Sequence, residues 1–212
     1  MFNHSFPCLF YGPPGTGKTL TAKLLGKSLN QPVFRIDLSM LVSKYIGETE
    51  KNLARLFDRA KGKDWILFFD EADAIFGKRT SIKDSNDKWA NLEVSYLLQK
   101  IEEHRGLVIL ATNLKENMDA ALTRRFQVVI KFTKPGWPEQ QQLWKTILPA
   151  HFEYAPQVKL DAFSKYNFTG ANISNILKQA CLDSVANATT TISQESLKHA
   201  VLEELNKENR TR

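Results

Sequence analysis

The eight residues Gly12-Pro13-Pro14-Gly15-Thr16-Gly17-Lys18-Thr19 constrain this chain more than any other stretch. They spell GxxxxGK[ST]. The apolar run Ser5–Tyr11 (SFPCLFY) leads into them, and a helical pattern follows through Leu29. Glycines let backbone N–H groups curl around phosphate oxygens, because no side chain blocks the approach. A helix that starts there aims the positive end of its dipole at the same oxygens. Lys18 can reach β- and γ-phosphates, and the Thr19 hydroxyl can ligate Mg²⁺. The plain alternative is a flexible Gly/Pro turn before a helix. Average residue usage gives a chance match in roughly one such chain in a hundred. The strand–loop–helix setting lowers that further.

A second constraint is the run 65–69 (WILFF), which is apolar throughout and ends in Asp70-Glu71. Such a run reads as a strand buried on both faces. Acids at its end stand at the carboxyl edge of a parallel sheet, beside the loop that follows the first strand. There Asp70 can hold Mg²⁺, usually through water. Glu71 is placed to accept a proton from an attacking water. The competing reading is a helix N-terminus decorated with acids, and the phosphate loop upstream weighs against it. The run 107–111 (LVILA) predicts a neighbouring strand ending in Thr112-Asn113. An amide there can orient water and sense a γ-phosphate, although Asn also favours strand-to-loop turns on its own account.

Further strands are expected at 33–36 and 128–132, and helices where 53, 56, 57 and 60 and then 94, 97, 98 and 101 recur as apolar positions. Strands alternating with helices predict an α/β fold with a mostly parallel sheet wound on both sides. The two prolines and glycine of 134–138 (KPGWP) end that pattern. Beyond them only helical periodicity is legible, with Ser193 as an N-cap for the last helix. The expected domains are therefore 1–134, an α/β domain, and 135–212, a small all-helical one. The polar segment 78–88 reads as a mobile loop, and 206–212 as a frayed tail.

Composition excludes several classes. With 212 residues, 42% hydrophobic and 25% charged, the chain is neither collagen-like nor strongly disordered. Two cysteines, Cys8 and Cys181, make no disulfide framework. No apolar run approaches a membrane span, and residues 1–11 lack the basic start of a signal peptide. A cytoplasmic location is the resulting expectation. His4, His104, His151 and His199 have no metal-ligand spacing and read as surface or core residues. The four tryptophans read as packing. The net charge of +6 allows nucleic acid as a partner, but it is spread along the chain.

Taken together, GPPGTGKT, ILFFDEAD, ATN and LTRRF occur in the order found in the AAA ATPases of the AAA+ group, which this chain resembles over nearly its whole length. SKYIGETEKNLARLF resembles the family segment with the first pore loop, and FTGANISNIL resembles the sensor 2 region of the helical lid. The finer resemblance is to bacterial-type AAA proteins with a long polar loop after the DEAD-like segment. The resemblance implies a P-loop NTPase sheet with a C-terminal helical lid. It implies ATP and Mg²⁺ as ligands, with Gly12, Pro13, Pro14, Gly15, Thr16, Gly17, Lys18, Thr19 and Leu20 on the nucleotide. It makes Asp70 and Glu71 the Walker B pair, with Glu71 the catalytic base, Thr19 and Asp70 the metal residues, and Asn113 sensor 1. Arg124 and Arg125 fall where the family places arginine fingers. Here the two are adjacent and followed directly by Phe126, a departure from the commoner spelling, so either can be the principal finger. Fingers act in trans, which implies a ring, most often a hexamer. Tyr45-Ile46-Gly47 matches the aromatic–hydrophobic–Gly pore loop of protein-threading members. The alternative for Tyr45 is packing beneath the next helix. Gly170-Ala171 stands where many AAA+ proteins keep a sensor 2 arginine, and alanine there is typical of the AAA family proper.

The expected function is Mg²⁺-dependent ATP hydrolysis coupled to remodelling or unfolding of a protein substrate. The alternatives are an AAA+ ATPase acting on nucleic acid, as loaders do, and a nucleotide-dependent assembly scaffold. AAA proteins normally carry residues upstream of the first strand that wall the adenine pocket. The expectation is therefore an excised fragment of a longer chain, with weak nucleotide binding and poor assembly.

Overall fold

A computed structural model describes residues 4–41, 47–76, 85–113 and 123–210, and of 85–91 and 208–210 only the backbone. These residues form two compact units, which divide between Phe132 and Thr133.

The first unit is a five-stranded, all-parallel sheet. Its strands are β1 (Ser5–Tyr11), β2 (Val33–Asp37), β3 (Ile66–Asp70), β4 (Gly106–Thr112) and β5 (Val128–Lys131). They lie side by side in the order β2-β3-β4-β1-β5. β1, β3 and β4 read as unbroken apolar runs because both their faces are covered. Cys8, Phe10, Ile66, Phe68, Ile109 and Ala111 face α1 (Lys18–Leu29), packing on Ala22 and Leu25. Leu9, Leu67, Phe69, Val108 and Leu110 face the other way. There they pack on Leu53 and Phe57 of α3 (Glu48–Ala60) and on Val94, Leu97 and Ile101 of α5 (Ser85–Glu103). Two one-turn helices, α2 (Leu38–Leu41) and α4 (Asp73–Phe76), add Leu38, Ile75 and Phe76 to the same layer. They are too short to leave a period in the sequence. α3 starts at Gly47, carries Glu48 and Glu50 in its first turn and Arg59 in its last, and so complements its dipole at both ends.

Part of 78–88, expected as a loop, is helical. α5 begins at Ser85, and its first residues, Ser-Asn-Asp-Lys, are polar and so leave no apolar period in the sequence. Residues 78–84 lie outside the described residues, as do Tyr45 and Ile46 of the expected pore loop.

α1 packs closely on β2 because Gly26 lies between them. A Cβ on Gly26 would sit 2.3 Å from Val33 Cγ2 and 2.8 Å from the Gln31 carbonyl oxygen. Alanine gains about 1 kcal/mol of helix propensity over glycine. Overpacking against a stiff β-branched side chain and a backbone oxygen costs about 1–3 kcal/mol. The clash wins, so Gly26→Ala is expected to lower the unfolding midpoint; a raised midpoint in calorimetry would contradict this packing.

The second unit is built from α6 (Trp137–Ile147), α7 (Gly170–Ala186) and α8 (Gln194–Arg210), around a core with Trp144, Phe163, Phe168, Ile173, Ile176, Leu177 and Leu197. Ser193 Oγ accepts the Ser196 N–H at 3.0 Å, so the last helix is capped where expected. It runs to Arg210, further than the frayed tail read from 206–212. The unit is also not wholly helical. β6 (Glu153–Tyr154) and β7 (Thr191–Ile192) pair in parallel. Two-residue strands are too short to show a period of two. Thr169 and Asn172 form a reciprocal capping box at the start of α7. Glu204 of α8 is only 5% exposed and accepts the amides of Asn172 and Asn175 at 3.0 and 3.1 Å. Burial pushes the Glu204 pKa up, but those bonds and Lys207 hold it below the usual carboxylate value.

Candidate active site

Parallel strands all end at the same edge, and three of them place the polar residues of the first unit there. At the end of β1, Gly12 donates its N–H to the Thr112 carbonyl at the end of β4 (3.2 Å), and Phe132 donates to the Tyr11 carbonyl (2.7 Å). Gly12 has φ +144°, and a Cβ there would meet the Phe132 carbonyl oxygen at 2.0 Å. Only glycine fits. Thr16 Oγ1 donates to the Pro13 carbonyl at 2.8 Å and braces the turn. Gly17 then starts α1 from a left-handed conformation. Among the described residues no side chain caps this helix, and its first turn holds no acid. Its first N–H groups are thus left for an anion from outside the helix. Pro14 and Gly15 are exposed, and Leu20 is 61% exposed one position past Thr19.

Lys18 is buried, yet charged. Its Nζ donates to the Gly12 carbonyl (2.7 Å), the Pro13 carbonyl (3.0 Å) and Asn113 Oδ1 (2.8 Å). Burial pushes its pKa down, and the charges of Asp73 and Asp70 oppose that shift. The amine therefore bridges the loop after β1 to the residue after β4, with its charge partly desolvated and available to an incoming anion.

Asp70 closes β3, its side chain 13% exposed. Its Oδ2 accepts Thr19 Oγ1 at 3.3 Å, and its Oδ1 accepts the Glu71 N–H at 3.1 Å. Glu71 follows in a left-handed conformation, φ +53°, and is exposed. A non-glycine residue held there stores about 1–3 kcal/mol of strain, which is characteristic of functional positions. The Ala72 N–H donates to the Ala111 carbonyl at 3.0 Å and ties this turn to β4.

Two neighbours of the site went unread in the sequence. Asp73 is the first residue of α4. Its carboxylate accepts the Thr112 hydroxyl and, at 3.0 and 3.2 Å, the Asn113 N–H. It thereby fixes the residue whose side chain holds Lys18. Its only signal was its place as the last letter of DEAD. Arg35 of β2 reaches Asp70 Oδ2 with Nε at 3.0 Å and NH2 at 2.9 Å. That contact depends on strand order, which the sequence does not print.

Arg125 pairs with Glu102 of α5 at 3.0 Å, both side chains about half exposed. Arg124 is exposed and makes no ion pair among the described residues. Gly47 is the left-handed residue that starts α3, φ +78°. Gly170 opens α7 in the second unit, and Ala171 beside it is exposed.

Among the described residues, no three His, Cys, Asp or Glu side chains cluster as an all-protein metal cage. A hydroxyl and a carboxylate oxygen 3.3 Å apart, at Thr19 and Asp70, are instead the sparse hard-oxygen set that Mg²⁺ takes when phosphates and water complete its octahedron. The arrangement can bind a polyphosphate, neutralise it with Lys18, and offer a carboxylate at Glu71 as a base. Among the described residues no helix is long and apolar enough to cross a membrane.

Comparison with known proteins agrees with this geometry. Residues 8–134 match the model of the ATPase family associated with various cellular activities (AAA). An uncharacterized AAA family ATPase, y4kL, of Sinorhizobium fredii is 39% identical over 127 residues, 60% of this chain and 38% of the relative. The peroxisomal ATPase PEX6 of Yarrowia lipolytica is 35% identical over 199 residues, 88% of this chain and 19% of its own length. The same-named protein of Debaryomyces hansenii is 34% identical over 215 residues, 94% of this chain and 17% of the relative. The chain thus spans well under half the length of these relatives. With its family model covering more than half of the residues, and the strand order and site geometry described above, the chain belongs to the AAA family of ATPases.

Proposed function

We propose that this chain hydrolyses ATP in a Mg²⁺-dependent reaction, as one subunit of a ring that remodels a protein substrate in the cytoplasm. The observation that carries the hydrolytic part is the convergence of Lys18, Thr19, Asp70, Glu71 and Asn113 on one sheet edge, with Lys18 Nζ 2.8 Å from Asn113 Oδ1. Backbone N–H groups of Gly15–Thr19, at the start of α1, bind the phosphates. Thr19 and Asp70 would hold Mg²⁺, directly or through water, and the ion would supply charge neutralisation on the phosphate oxygens. Lys18 offsets the charge that grows on the γ-phosphoryl group. Asn113 orients the attacking water, and Glu71 takes its proton as oxygen bonds to phosphorus and ADP leaves.

The ring rests on the arginines. Arg125 is tied to Glu102 in its own chain, which leaves Arg124 as the better candidate for insertion into a neighbour's site. Residues 135–212, starting α7 at Gly170-Ala171, act as the lid in this reading. The Tyr45-Ile46-Gly47 sequence supports a polypeptide substrate, because an aromatic residue in a channel grips an extended chain without reading it.

The test compares turnover with added unfolded polypeptide, single-stranded DNA or RNA. Stimulation by polypeptide and no salt-dependent nucleic-acid binding is the expected result. Stimulation by nucleic acid alone would transfer the function to the loader class, and ATP binding without turnover would make the chain a scaffold. Mixing Arg124→Ala with Glu71→Gln subunits should restore some activity. No recovery at any ratio would remove the trans finger.

A further inference from the structure

The Asp70 carboxylate already carries a cation of its own. Arg35 lies on β2, the edge strand, where it pairs across the ladder with Phe68. Side chains alternate between sheet faces, so Arg35 is on the same face as Phe68 and Asp70, the face covered by α1 and Thr19. Its stem runs along the strand direction to the end of β3. There both Nε and NH2 converge on Asp70 Oδ2, at 3.0 and 2.9 Å. That oxygen also accepts Thr19 Oγ1 at 3.3 Å, whereas Oδ1 is engaged by the Glu71 N–H. The oxygen shared by the two metal-holding residues is thus the one the guanidinium covers.

We propose that Arg35 is a built-in counter-ion for Asp70, a positioning residue that competes with Mg²⁺ for the carboxylate and so sets the concentration of metal at which the nucleotide site fills. This rests on Asp70 being a metal-holding residue. The electrostatics follow from geometry. A divalent ion at Thr19 and Asp70 meets a guanidinium on the same oxygen, and two like charges there repel. Metal loading therefore requires Arg35 to loosen its hold. It has room to do so, because its side chain is 55% exposed on an edge strand, while Asp70 is 13% exposed and fixed. The same guanidinium and Thr19 Oγ1 meet at Asp70 Oδ2, so Arg35 also spares an entering polyphosphate a bare carboxylate.

Half-exposed ion pairs are weak, so the expected effect is modest: about two- to fivefold in metal concentration. The experiment is equilibrium binding of fluorescently labelled ADP during a MgCl₂ titration, with no turnover involved. Arg35→Met keeps the stem without the charge, and its Mg²⁺ midpoint should fall about two- to fivefold. Arg35→Lys keeps the charge and should stay near the wild type. A midpoint for Arg35→Met that is unchanged or raised would overturn the proposal. Asp70→Asn separates this failure from failure of the underlying assignment. Its midpoint should rise about tenfold or more. If Asp70→Asn leaves the midpoint in place, Asp70 is not a metal residue and both readings fall. If it raises the midpoint while Arg35→Met does nothing, the role of Arg35 alone is wrong.

Discussion

Replacing Glu71 with glutamine is expected to cut ATP turnover by about two to four orders of magnitude, the range a positioned general base contributes, while ATP binding and thermal stability stay close to wild type. The separation follows from what Glu71 does and does not touch. Its backbone N–H donates to Asp70 Oδ1, and its side chain is exposed. Glutamine keeps the backbone bond, the size and the left-handed φ of +53°, and loses only the ability to take a proton. Phosphate release measured beside equilibrium ATP binding checks both halves. Turnover within tenfold of wild type would place the base elsewhere. Loss of binding in parallel would mean that Glu71 holds the site together rather than acting on water.

The second large effect is expected at Lys18. Lys18→Ala removes an amine that donates to the Gly12 and Pro13 carbonyls and to Asn113 Oδ1. It also removes the one side-chain cation this loop sequence supplies. A hydrogen bond to a charged group contributes about 1.5–3 kcal/mol, so ATP affinity should fall about ten- to a hundredfold. Stability responds to two opposed changes. Three acceptors lose their donor, which is unfavourable. A partly desolvated ammonium, whose pKa burial has already pushed down, is relieved. The net effect on folding is therefore smaller than the effect on binding. Isothermal titration with ATP and a melting curve distinguish the two. Unchanged affinity would contradict the assignment of the loop as the phosphate site.

Much of this site is legible in the primary structure because its chemistry is local. The loop from Gly12 to Thr19 needs its glycines within eight residues, and strand-end acids follow an apolar run directly, as at Phe69-Asp70-Glu71. Apolar runs buried on both faces are also readable, and β1, β3 and β4 lie where 5–11, 65–69 and 107–111 predicted them. What escaped depends on long-range placement. Gly12 reads as a phosphate-loop glycine, but the contact that excludes every other residue is with Phe132, 120 positions away in sequence and just past the end of the adjacent strand β5. Arg35 looks like an exposed charge on a short strand until β2 is placed beside β3. Asp73 looks like an ordinary first-turn acid until β4 delivers Thr112 and Asn113 to it. The φ of Glu71 has no sequence signature, since glycine is the usual signal for a left-handed residue and none is there. In the second unit the paired strands β6 and β7 are too short to be seen.

These hidden contacts explain how the edge is held in register. Asp73 fixes the Asn113 backbone, Asn113 holds Lys18, and Lys18 holds the loop. Thr19 and Arg35 converge on Asp70, whose other oxygen receives Glu71. Every member of the proposed reaction is thus linked by hydrogen bonds to another, on three adjacent strands and the helix that follows the first. Apart from the Arg35 contact, which loosens for metal, a site built this way reorganises little when the phosphates arrive, which is the condition for electrostatic stabilisation of the developing charge.

The central claim is that this connected edge cleaves ATP. Its most direct measurement is single-turnover phosphate release from ATP bound to the wild-type chain with Mg²⁺, at protein concentrations high enough for subunits to associate. Phosphate release should disappear when EDTA replaces Mg²⁺ and fall at least about a hundredfold in Glu71→Gln. Release that is equal in wild type and Glu71→Gln, or absent from associated wild-type subunits with ATP bound, would contradict that claim.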